Sequence, residues 1–105
     1  MTYTFIEDLS EALEIPEDGT LSRVLHSDDQ IRLVGFAFDT GQELTEHTAA
    51  VPVLIQVVSG RLSVTLDAQT MELGPTGWLR MDAHAPHSVR ALVPTVMVLT
   101  MLRGS

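Results

Sequence analysis

The sequence predicts an all-β sandwich or barrel folded as one domain, and three observations predict it. Short apolar runs recur at roughly 8–12-residue intervals, parted by Gly and Pro turns. Residues 61–66 alternate apolar and polar with the period of two that a half-buried strand requires. The chain has 105 residues, the length of a single domain, with no heptad, tandem repeat, low-complexity run or linker.

Residues 5–13 place Phe5, Ile6, Leu9 and Leu13 on one helical face with acids opposite. A short helix or turn is predicted there, ended by Pro16. Residues 1–18 are read as an N-terminal helical or extended arm and 19–103 as the barrel. Leu21–Leu25 reads as a strand and Ser27–Gln30 as its turn, because short polar side chains bond their own backbone. Ile31–Asp39 follows as a strand rich in β-branched and aromatic residues. Gly41 and the polar Gln42–Thr48 read as a loop. Val51–Val58 is apolar on both faces except at Gln56, as a strand buried on both sides would be.

Ser59-Gly60 turns into Arg61–Leu66, and Asp67–Thr70 turns again. Leu73–Gly77 forms a tight loop before a short strand at Trp78–Met81. Ala83–Pro86 is a loop. His87–Val93 and Val96–Leu102 read as strands parted by Pro94-Thr95, and Arg103–Ser105 as a frayed tail. Val96–Leu102 is too apolar for an exposed strand. It lies in the middle of a sheet or packs on a second subunit, and on that ground a homodimer is expected.

Six Arg and no Lys face fourteen acids, a net charge of −8. Eleven of the acids fall in residues 1–50. That balance argues against a phosphate-binding patch, hence against nucleic acid, and against an anionic membrane surface. Without Lys there is no Schiff-base lysine. Without Cys there is no thiolate nucleophile, disulfide, thiolate zinc site or iron–sulfur cluster. The start, Met1–Glu7, lacks the basic and apolar regions of a signal peptide, and no apolar stretch is long enough to span a bilayer. A cytoplasmic protein is expected. No nucleophile elbow, dinucleotide fingerprint or P-loop occurs.

The versatile groups are four histidines. His87 starts a strand and shares parity with Val89, Ala91 and Val93, so it is expected to point inward. His47 lies near the end of the polar loop. His84 and His87 are spaced i, i+3, but Ala85-Pro86 breaks any helix that would let them chelate. His26 adjoins a turn and reads as solvated. Met71, Met81, Met97 and Met101 read as core filling, Trp78 as packing or interface, and Arg80 and Arg90 as outward charges.

The stretch Gly41-QELTE-His47-T-Ala49-AVP-Val53-LIQVVS-Gly60 resembles the first motif of the cupin superfamily, a Gly-led loop carrying a His-x-His pair, a Glu and a closing Gly. Thr76-Gly77-WLRM-Asp82-Ala83-His84-Ala85-Pro86-His87 resembles the second, in which a Gly-led strand enters a Pro-x-Gly-x-Pro-His turn. Residues 61–73 join them by one hairpin. The resemblance covers residues ~20–102 and is strongest to small single-domain bacterial cupins. It implies a double-stranded β-helix, the jelly-roll barrel.

In metal-binding cupins the motif histidines and the Glu hold one metal. Here His47 and His87 occupy two ligand positions, while Ala49 and Val53 replace the second His and the Glu. Asp82 and His84 replace the Pro and Gly of the second motif. The resemblance therefore implies a divalent metal (zinc, iron, manganese or nickel) on His47 and His87 only, with Glu43, which shares parity with His47, or Gln56 as third-ligand candidates. Glu46 is a further one. The apolar replacements suit a small, apolar ligand in the barrel, lined by Ala49, Val53, Ile55, Met81 and Val89, with the two histidines as polar contacts. Two other readings stay open. One is a metal-dependent dioxygenase, isomerase or cyclase using His47 and His87. The other is a structural or partner-binding dimer.

Overall fold

A computed structural model describes residues 2–104. Nine strands follow a short 3₁₀ turn, Leu9–Glu11. They are β1 (Thr20–Ser27), β2 (Ile31–Phe38), β3 (Glu43–His47), β4 (Val53–Ser59), β5 (Leu62–Leu66), β6 (Gln69–Leu73), β7 (Trp78–Met81), β8 (His87–Ala91) and β9 (Thr95–Leu102). One sheet runs β1-β2-β9-β4-β7 and the other β3-β8-β5-β6, with antiparallel pairing throughout. Two antiparallel sheets facing each other in this order form a jelly roll.

The period-two pattern decides what lies between the sheets. From the first sheet Phe38, Val53, Ile55, Val57, Met97 and Leu99 point inward, and they meet Leu62, Val64, Val89 and Ala91 of the second in one cluster. Met81 belongs to the same cluster, and Met71 and Met101 pack against it, so the methionines fill core as expected. The outer face of the second sheet carries Ser63, Thr65, Glu72 and Arg90, with Arg61 bonded to Glu72 at 2.7 Å.

β9 lies between β2 and β4. Its first five residues are buried on both faces. Met97 and Leu99 enter the main core, and Val96 joins a second cluster with Leu13 and Ala37 on the outer side. A central position therefore accounts for the apolarity of residues 96–102 without a second subunit. Trp78 lies on the edge strand β7 and is 58% exposed, so it does not pack inside the chain.

Several local expectations change. The helix expected over 5–13 reduces to three 3₁₀ residues capped by Asp8, whose side chain accepts from the Ser10 N–H at 2.9 Å. A segment this short repays the cost of nucleating a helix poorly, and of its apolar face only Leu13 is buried. The loop expected at 42–48 contains β3. Its sequence, ELTEH, is polar because β3 is an edge strand with one paired side. The turn at 67–70 tightens to Asp67-Ala68, since Gln69 and Thr70 already pair with Leu66 and Thr65. The strand expected to reach Val93 stops at Ala91, leaving Val93 43% exposed rather than inward. Arg103 is held rather than frayed: its guanidinium donates to Ser27 Oγ (3.1 Å) and the Asp28 carbonyl (2.9 Å). Met1 and Ser105 lie outside the described residues.

Candidate functional site

His47 and His87 are brought together at one end of the second sheet. They are directly opposed across the β3–β8 pair. Their ring centroids stand 4.2 Å apart with the planes inclined by 59°. His87 is buried, at 3% exposure, while His47 is exposed at the rim.

A bulge in β3 produces this pairing. Leu44 opposes Val89 and His47 opposes His87, so three steps along β3 match two along β8. The extra residue flips the parity of the strand. Glu43, which shares sequence parity with His47, instead opposes the outward Arg90. It does not join the pair. Gln56 does not join it either, for it is exposed and opposes Trp78 and Val98 in the other sheet.

Each imidazole is fixed by the backbone behind it. His47 Nδ1 lies 2.7 Å from the Thr45 carbonyl oxygen, and His87 Nδ1 lies 2.9 Å from that of Ala85. A carbonyl only accepts, so both Nδ1 atoms carry hydrogen. In the neutral ring each Nε2 is then a bare acceptor. Neither has a hydrogen-bond partner among the described residues. Two bare acceptors on neighbouring rings cannot bond each other without another proton, so each is open to a donor or an electrophile from outside.

The donor set does not fit a resident metal centre. Catalytic zinc and non-haem iron sites use three protein ligands. No group of three or more metal-ligating residues occurs among the described residues. Ala49 and Val53 supply nothing at the two remaining family positions.

Beside the pair lies a cleft of about 610 Å³ that neither histidine lines; its wall is apolar at Leu66, Met71, Met81 and Ala85 and charged at Asp67, Arg80 and Asp82. Leu66 is the cross-strand neighbour of His87, and the Ala85 carbonyl holds the His87 ring. Of the residues expected to line a pocket, Met81 reaches this cleft. Val53, Ile55 and Val89 lie in the core cluster, and Ala49 packs against it. Leu66 shares the inward parity of Leu62 and Val64, and Met71 lies across from Val64 on β6, so both were legible as apolar interior residues but not as the wall of a cleft.

The loop that positions His87 is tight. The His84 N–H donates to the Ala49 carbonyl at 2.7 Å, and His84 has φ 68°. Its side chain is exposed and stands where the family motif has Gly. A Cβ in the left-handed region is disfavoured. His84→Gly is expected to stabilise the fold by up to about 1 kcal/mol, read as a higher urea midpoint at constant slope. A lower midpoint would mean that the imidazole makes a contact that outweighs the strain.

Away from this site, His26 Nε2 lies 2.8 Å from Asp28 Oδ2, so His26 is paired rather than simply solvated. The spacing His26-Ser27-Asp28 across a turn was the available signal. That hydrogen bond, with the Ile31 and Gln30 N–H groups, holds the Asp28 carboxyl down at about 2.

No family model matches the sequence, and no curated protein matches it. Solved structures do. A cupin superfamily protein from Desulfitobacterium hafniense is 25% identical, with 91% of this chain and 88% of that chain covered and a TM-score of 0.86. A conserved protein of unknown function from Streptococcus pyogenes is 25% identical, with 100% and 92% covered and a TM-score of 0.87. An RmlC-like cupin from Desulfovibrio desulfuricans is 22% identical, with 96% and 98% covered and a TM-score of 0.86. This likeness runs over nearly the full length of both partners and agrees with the two motif stretches read from the sequence. The chain is a small cupin-type protein.

Proposed function

We propose that this protein binds a small neutral molecule at the mouth of the barrel, an apolar body with two hydrogen-bond donors that meet His47 and His87. The observation that carries this reading is the pair of bare Nε2 acceptors, fixed by the Thr45 and Ala85 carbonyls beside a cleft of about 610 Å³. Ligand sites are mostly apolar with a few fixed polar groups, and Leu66, Met71 and Met81 supply the apolar wall. Binding to two preset acceptors loses little to reorganisation.

The test uses trans-1,2-cyclohexanediol, which carries two hydroxyls on an apolar ring, titrated while the methyl NMR signals of Leu66, Met71 and Met81 are followed. Saturable shifts are expected, weakened at least tenfold in His47→Ala and in His87→Ala. An affinity unchanged in both variants would overturn the reading. So would near-stoichiometric metal in untagged protein purified without chelator and lost in the double variant, because the pair would then be a metal centre.

A further inference from the structure

A second cleft, also about 610 Å³, lies on the other side of the molecule between the N-terminal arm and the outer face of the first sheet. Its floor is His26, Asp28, Ile31 and Leu33 from β1, β2 and their turn. Its roof includes Tyr3 and Ile6 of the arm. It shares no lining residue with the cleft beside His47 and His87.

The roof is anchored at only one end. Leu13 is buried against Gly35, where a Cβ would stand 2.5 Å from the Leu13 Cδ1. Arg23 donates to the Ala12 carbonyl at 2.9 Å. Outboard of the 3₁₀ turn, residues 2–7 make no backbone hydrogen bond to the barrel among the described residues. Tyr3 and Phe5 remain 72% and 75% exposed. A strap held from Leu13 to the 3₁₀ turn, which lies against β4, and without backbone bonds beyond it leaves the space beneath its first residues open.

The polar floor of the cleft limits what can fill it. Asp28 Oδ1 accepts the N–H groups of Gln30 (2.8 Å) and Ile31 (2.9 Å), and Oδ2 faces His26 Nε2. The carboxylate is thus occupied and offers nothing free to a cation. It is also ionised at ordinary pH, so Nε2 is the donor to it. In the neutral ring Nδ1 is then an acceptor, and it has no partner among the described residues. An anion is disfavoured by Asp28, by Asp29 beside it and by the net charge of −8. What suits this floor is a neutral molecule with a donor for His26 Nδ1 and a flat apolar body that fits beneath Tyr3 and against Ile31 and Leu33, with the Thr2 and Thr4 hydroxyls at the rim.

We infer that the arm-covered cleft is a second binding site, for a small neutral aromatic molecule of the phenol or azole class whose single O–H or N–H donates to His26 and whose ring lies between the arm and β2.

The test titrates p-cresol into the intact protein, with the methyl signals of Ile6, Leu9, Ile31 and Leu33 as the report and p-xylene as the match without a hydroxyl. Saturable shifts confined to these methyls are expected, with p-xylene at least tenfold weaker. His26→Phe should weaken p-cresol at least tenfold while leaving p-xylene within about twofold. Gly35→Ala, outside the cleft, should weaken both ligands by unseating Leu13. If that variant does not fold, Leu13→Ala makes the same test. The inference is overturned if the shifts do not saturate, if they fall on Leu66 and Met71 instead, or if His26→Phe binds both ligands like the parent.

Discussion

Gly60→Ala is expected to cost about 3–5 kcal/mol, most of the stability of a domain this small. Gly60 closes the β4–β5 turn at φ 91°, in the region that a side chain disfavours. A Cβ there would overlap the Pro94 carbonyl oxygen and Thr95 Oγ1, and would stand 2.7 Å from the Thr95 Cα. These atoms cannot step aside. Thr95 is buried, and its hydroxyl accepts the Arg61 N–H at 3.0 Å and reaches the Val93 carbonyl at 2.7 Å. Displacing it opens the start of β9 and leaves a buried donor unpaired, which alone costs about 1–3 kcal/mol. Urea unfolding measures the loss. Gly104→Ala is the control, because a Cβ there meets nothing within 4 Å and the midpoint should not move. A Gly60→Ala midpoint equal to the control would show that the turn has room to rearrange.

Phe38→Ala is the second large effect, at about 3–5 kcal/mol. Phe38 is fully buried at the end of β2, and its ring stacks on Phe36 with centroids 5.9 Å apart. It fills space in the main core cluster between the two sheets, and to the extent that the neighbouring methionines do not close the gap, the cavity adds to the lost transfer energy. The thermal midpoint should fall by at least about 12 °C. The urea slope should stay constant, since the same surface is exposed on unfolding. A loss below about 1 kcal/mol would mean that the core collapses around the gap.

The parts of the fold that were legible in the sequence are those whose environment is uniform. β4 and β9 are apolar on both faces because both sides are covered, and β5 alternates because one side meets water. Those patterns follow directly from burial. β3 was missed because an edge strand over a solvated face carries no apolar signal, and ELTEH reads as a loop. The histidine pair was half legible. The parity of β8 placed His87 inward, whereas the position of His47 depends on a bulge that moves Glu43 to the opposite face. A bulge is one residue of slip, and nothing in the composition of residues 43–47 marks it. The motif resemblance supplied the pairing that parity could not. In the arm, the helical stripe of Phe5, Ile6, Leu9 and Leu13 overstated the helix, because only Leu9–Glu11 winds into a 3₁₀ turn and Thr2–Ile6 has no regular structure.

The place of β9 has a consequence for synthesis. It is the last strand in chain order, yet it divides the five-strand sheet, joining Ile31–Phe38 on one side to Val53–Ser59 on the other. Before β9 leaves the ribosome, β2 and β4 have no common neighbour, and the nascent chain holds two open strand edges in their place. Its closing contacts span most of the sequence, from Ile31 to Leu102. High contact order of this kind makes for slow folding. Those open edges give chaperones a window of access, and a transcript that stops short of Thr95 would release a chain with an aggregation-prone seam.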